Sequence, residues 1–100
     1  MNITENKINE TIVLSIEGRI DTNSSTQLQA KILQSFQKAK NLELDFAQAD
    51  YITSAGLRAL LIGQKTAASK GGTMKLLHVK PMIMNVFQMS GFAKILTIEP

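Results

Sequence analysis

The stretch "DYITSAGLRALL", Asp50 to Leu61, sets the hydroxyls of Thr53 and Ser54 and the small residues Ala55 and Gly56 between apolar runs. Three kinds of chemistry are open to a serine in such a place: nucleophilic attack, capping of a helix, and acceptance of a phosphoryl group. A nucleophile would need the tight G-x-S-x-G turn, but Ile52 occupies the first glycine position. The single imidazole, His78, falls near a predicted strand end with no partner motif to make it a base. No enzyme is therefore expected. As a cap, the Ser54 hydroxyl would accept a bond from a backbone N–H of the first turn. As a phosphoryl acceptor it would carry roughly −1.5 to −2 charges at a helix start, where anions are favoured. Both of these readings require a helix to begin at Ser54.

Other chemistry is poorly supplied. Asp45 and Asp50 flank a strand end but lack the alternating acidic spacing and glycine of a calcium loop. Gly71-Gly72 stands without the lysine pattern of a phosphate-binding loop. The chain has no cysteine and one histidine, which removes disulfides, thiolate zinc sites and multi-histidine sites. Neither a metal nor a cofactor is expected.

The pattern after Ser54 is helical to Lys70. Leu57, Leu60, Leu61, Gln64 and Ala68 recur on one side as a core face. Ala55, Ala59, Ile62 and Thr66 line up on the other side, beside Arg58. A helix lying on a sheet ordinarily turns charges outward, and this stripe is small and smooth. Either a third helix covers it or it is a docking surface for another protein.

Further elements must position that helix. "NITENKI" and "TIVLSIEG" flank Asn9-Glu10 and read as a hairpin entering a strand over 11–17. Gly18 loosens the chain, and Asp21, Asn23 and Ser24 are all competent caps for a helix over 24–39 carrying Leu28, Ile32, Leu33 and Phe36. "NLELDF" is a short strand and 74–79 another. Pro81 opens a third helix with Ile83, Val86 and Phe87, Gly91 ends it, and "AKILTIEP" supplies a last strand. Met82, Met84 and Met89 fill core gaps there or extend the docking surface. Helices alternating with strands imply an α/β fold with a mainly parallel sheet, an N-terminal hairpin strand and three main helices, with one sheet face partly open.

Length and composition fit one domain spanning 1–100: 44% of residues are hydrophobic and 19% charged. The formal charge of +3 is scattered from Lys7 to Lys94, without a basic run, so no direct nucleic-acid partner is expected. Apolar runs are too short for a membrane span, and "MNITENKINE" lacks the parts of a signal peptide. A cytoplasmic monomer is the expectation.

"IEGRIDTNSSTQL", "LELDFAQADYITSAGLRALL" and "VFQMSGFAKIL", in this order and at these separations, closely resemble STAS domains, and more narrowly the stand-alone anti-sigma factor antagonists of bacteria. The resemblance covers nearly the whole chain. It implies a partner switch. The unphosphorylated antagonist binds an anti-sigma factor with GHKL-type serine kinase activity and frees the sigma factor; phosphorylation ends the complex, and a PP2C-type phosphatase restores the antagonist. By this resemblance Ser54 is the phosphorylated residue, followed by Ala55, Gly56 and Leu57 as the pattern expects. Asp21 matches an aspartate beside that serine, and Thr22, Asn23 and Ser24 share the contact surface with Thr53, Ala55, Gly56, Arg58, Ala59 and Ile62. Many relatives carry aspartate where this chain has Thr53. An alternative within the fold is a non-phosphorylated accessory subunit docking on a transporter ATPase.

Overall fold

The computed structural model describes residues 1–99. The elements, in chain order, are β1 (Asn2–Ile8), β2 (Thr11–Ile20), α1 (Thr22–Lys38), β3 (Asn41–Ile52), α2 (Ser54–Ser69), β4 (Thr73–Leu77), α3 (Pro81–Ser90), a single 3-10 turn at Phe92–Lys94, and β5 (Thr97–Ile98). The strands form one five-stranded sheet in the order β1-β2-β3-β4-β5. β1 pairs antiparallel with β2 through the hairpin, and every later pairing is parallel. The expected α/β architecture, hairpin included, is what the chain adopts. At the hairpin, Asn9 takes the left-handed conformation (φ 55°), which asparagine tolerates better than most residues.

Strand alternation builds the core. Ile12, Leu14 and Ile16 of β2, Leu42, Leu44 and Phe46 of β3, and Met74 and Leu76 of β4 are buried under the helices. α1 adds Leu28, Ile32 and Phe36; α2 adds Leu57 and Leu60; α3 adds Ile83 and Phe87. The Phe46 and Phe87 rings meet edge to face, with centroids 6.3 Å apart, which seats α3 on the same side as the other helices. On the opposite side Val13, Glu43 and Lys75 are only half-buried, so that face is partly open, as expected. α1 is further fixed by Glu5, whose carboxylate receives Lys31 at 2.8 Å and Lys38 at 2.9 Å.

Several boundaries differ from the sequence reading, each for a local reason. β2 runs past 17 to Ile20, because Gly18 at φ 100° absorbs an irregularity in the ladder rather than ending it. β3 continues through "AQADYI" as far as Ile52, with Ala49 and Ile52 buried. α1 begins at Thr22, since Asp21 caps it, and ends at Lys38. β4 stops at Leu77, where His78 turns left-handed (φ 57°). α3 behaves as read, with Pro81 in its first turn and Gly91 (φ 83°) as its C-cap. Among the described residues no helix is long and apolar enough to cross a membrane.

The two-sided reading of α2 needs correction. Its buried residues are Gly56, Leu57, Ala59, Leu60, Gly63 and Ala67, while Leu61 and Gln64 are half-buried and Ala68 is exposed. The helix covering its small residues is α1 rather than α3. A Cβ on Gly63 would lie 3.0 Å from Ile32 of α1 and 2.7 Å from the Met74 sulfur, so the glycine permits close approach of the layers.

Candidate functional site

Ile20 and Ile52 are paired across the parallel ladder, so β2 and β3 end together. Each strand then delivers one capping residue to the same end of the sheet, Asp21 for α1 and Thr53 for α2. Asp21 forms a reciprocal capping box. Its carboxylate accepts from the Ser24 N–H at 2.9 Å, and the Asp21 N–H donates to the Ser24 hydroxyl at 2.8 Å. The Ser24 N–H and hydroxyl, then the Asn23 N–H and Arg19, hold the Asp21 carboxyl below its usual range. Asp21 and Ser24 are thus committed to each other and half-buried, whereas Thr22 and Asn23 are exposed.

The capping of α2 corrects the sequence reading. Thr53, not Ser54, is the N-cap: its hydroxyl accepts a long bond from the Gly56 N–H at 3.5 Å. Ser54 is the first residue of the helix proper, exposed, with its hydroxyl released from capping. Two further candidates lie elsewhere than on a contact surface. Ala59 is 1% exposed and belongs to the buried side of α2. Gly56 is also buried, packed so closely on the strand ends that a Cβ would sit 2.7 Å from both Ile20 and Ile52. Ala55 and Ile62 are half-buried, and Arg58 is exposed.

Ser54 lines two shallow depressions at once. One, of about 500 Å³, is bounded by Tyr51, Ile52, Thr53, Leu57, Val86, Met89 and Ser90. The other, of about 300 Å³, is bounded by Leu57, Arg58, Leu61, Ser90 and Phe92. Together they form a largely apolar groove between the start of α2 and the end of α3. Val86, Ser90 and Phe92 were not among the candidates from sequence. Met89 was offered for either core or surface, and at 81% exposed it belongs to the surface. Met82 is also exposed, while Met84 packs against the core. The signal for this face lay in phase: Met82 and Met89 fall off the Ile83–Phe87 stripe.

The other candidates for chemistry are occupied. His78 Nδ1 lies 3.0 Å from Asp45, on an exposed stretch outside both depressions. Burial raises the Asp45 carboxyl, but the Ala47 N–H and His78 outweigh it, so the net direction is down. Asp50 pairs with Lys80 at 3.4 Å. Among the described residues no cluster of three potential ligands could hold a metal ion.

Residues 3–97 match the family described as "Mlab, STAS domain". The chain belongs to the STAS domain family. Among curated relatives, this STAS chain is 31% identical over 99 residues to a Bordetella bronchiseptica protein that bears the name anti-sigma factor antagonist BtrV, covering 98% of this chain and 85% of that one. It is 24% identical to the anti-sigma-B factor antagonist of Bacillus subtilis, covering 99% and 91%. Its fold matches the anti-sigma factor antagonist SpoIIAA in both solved forms. The TM-score is 0.77 to the unphosphorylated form, at 22% identity with 99% and 88% covered. It is 0.76 to the phosphorylated form of the Bacillus protein, at 24% identity with 99% and 92% covered.

Proposed function

We propose that this STAS domain is an anti-sigma factor antagonist that works by partner switching. Unmodified, it binds an anti-sigma factor that is also a serine kinase, and the sigma factor goes free. Phosphorylation of Ser54 ends that complex. In the step itself the Ser54 oxygen forms a bond to the γ-phosphorus of ATP, the bridging bond to the β-phosphate breaks and ADP leaves. The hydroxyl proton passes to a base of the kinase. A phosphatase reverses the modification by hydrolysis.

The observation that carries the reading is the division of labour at the start of α2: Thr53 caps the helix and leaves the Ser54 hydroxyl exposed on the rim of an apolar groove. A phosphate there meets solvent and the favourable end of a helix, so the scaffold has no cause to unfold. Tyr51, Leu57, Val86, Met89 and Phe92 supply apolar contact area beside it, and a charge placed at its edge opposes a partner that buries the groove.

The test is calorimetry of the chain, Ser54→Ala and Ser54→Asp against the anti-sigma factor kinase of the native cell, followed by incubation with ATP. Ser54→Ala is expected to bind like the native chain and to resist release by ATP. Ser54→Asp is expected to bind at least tenfold more weakly, which is about 1.4 kcal/mol. Equal affinity for all three chains, with no phosphate found on Ser54, would refute the switch. Recovery of a transporter ATPase as the stable partner would assign the groove to an accessory-subunit role instead.

A further inference from the structure

Arg58 follows Ser54 by one helical turn on the same side of α2, and both line the smaller depression. Side chains four residues apart on a helix stand with Cβ atoms about 5–6 Å from each other, and an acidic group preceding a basic one is the favourable order. Arg58 is exposed, and no ion pair among the described residues engages it. The other arginine, Arg19, is occupied, lying 4.7 Å over the Tyr51 ring. Across both depressions Arg58 is the sole charged residue, in a lining otherwise apolar or hydroxylated. Two carboxylates near the ends of β2 and β3 are engaged elsewhere: Asp21 with Ser24, and Asp50 with Lys80. A lone guanidinium beside a free hydroxyl in an uncharged groove has no structural duty there.

We propose that Arg58 is the intramolecular receptor of a phosphate carried on Ser54. The proposal rests on the reading of Ser54 as the modified residue and adds a second half to the switch. In the unmodified chain the guanidinium faces outward, free to meet an acidic group on a partner. Once Ser54 is phosphorylated, the planar fork of Arg58 closes on two phosphate oxygens. Modification then brings negative charge to the groove and withdraws its one positive charge in the same event.

The test uses chain made with phosphoserine incorporated at position 54 during synthesis, so that no kinase or partner is involved. Phosphorus NMR follows the second ionisation of the phosphate, ordinarily near pH 6. In the otherwise native chain this ionisation is expected to fall about half a unit to one unit below that of Arg58→Gln, an opposite charge at hand favouring the dianion. Lys65→Gln, which removes an exposed cation of the same helix, is expected to leave it unchanged. An identical ionisation in native and Arg58→Gln chains overturns the proposal. So does an equal rise in Lys65→Gln, which would make the effect one of general charge. Either result leaves the partner-binding test of Ser54 untouched, and a chain never phosphorylated in cells could still show the shift.

Discussion

Thr53 suspends its helix from the neighbouring strand: its backbone N–H and its hydroxyl both donate to the carbonyl oxygen of Ile20, at 3.0 and 3.3 Å. The same hydroxyl accepts from the Gly56 N–H. Thr53 therefore ties the end of β2 to the first turn of α2, and Ser54 beside it carries none of that load.

This division predicts opposite outcomes for adjacent hydroxyls. Thr53→Ala is expected to cost about 1 kcal/mol, the usual loss on removing a capping side chain. Ser54→Ala is expected to change stability by less than about 0.5 kcal/mol, as for an exposed residue without a structural bond. Urea titrations of the two variants against the native chain measure the difference. A larger loss for Ser54→Ala would return the capping role to the serine.

Two glycines of α2 are predicted to differ although both are buried. A methyl on Gly56 meets branched Ile20 and Ile52 side chains at 2.7 Å, and these are held between strand ends and helix. Overpacking of about 1–3 kcal/mol exceeds the helix propensity of up to about 1 kcal/mol gained over glycine. Gly56→Ala is thus expected to lose about 1 kcal/mol and to displace Ser54. At Gly63 the nearest neighbour is the Met74 sulfur, part of an adaptable thioether chain. Gly63→Ala is expected within about 0.5 kcal/mol of native, because the propensity gain offsets the strain. Thermal melts of both variants provide the comparison.

Glu5 predicts an acid limb of the stability profile. Hydrogen bonds from Lys31 and then Lys38 lower its carboxyl from 4.5 to about 2. A carboxyl lowered in the folded state contributes stability that is present above its unfolded value and lost as pH falls through the folded one. The gap in melting temperature between native chain and Glu5→Gln is therefore expected to be widest above about pH 5, and to narrow between pH 4.5 and about 2. Added salt should shrink it, since the pairs are partly solvated. Asp21 and Asp45 shift in the same direction, so both chains still lose stability in acid. A gap independent of pH would show that the lysines do not depend on the Glu5 charge.

The alternation of Ile12, Leu14 and Ile16 and the spacing of Leu28, Ile32 and Phe36 made the layers legible from sequence, because burial on one face imposes those periods. Pro81 and Gly91 marked α3 through backbone constraints that need no tertiary knowledge. What sequence could not resolve was which of two adjacent hydroxyls caps α2, since Thr53 and Ser54 are both competent and the bond to Ile20 decides. The small stripe of α2 was misassigned for a related reason. Ala59 of that stripe is buried and Gly63, outside it, lies against Ile32 of α1, and smallness reads alike whether the neighbour is the same chain or another. The α3 side of the groove stayed hidden because Val86, Ser90 and Phe92 come close to Ser54 only through the seating of Phe87 on Phe46.

Leu60 and Leu61 carry the last prediction, since periodicity placed both in the core and the fold separates them. Leu60 is fully buried, whereas Leu61 is half-buried and borders the depression that holds Ser54 and Arg58. Leu60→Ala is expected to cost about 2–5 kcal/mol, because truncation of a fully buried side chain leaves a cavity that a packed core closes only in part. Leu61→Ala removes a side chain that water already reaches in part, so its cost is expected to stay below about 2 kcal/mol. The effect on partner affinity should run the other way: Leu61→Ala weakens binding by removing groove contact, while Leu60→Ala, measured well below its melting temperature, leaves affinity near native. Denaturation and calorimetry on the same two preparations test the pair. If Leu61→Ala proves as destabilising as Leu60→Ala and binds normally, the groove beside Ser54 is core and not a surface for docking.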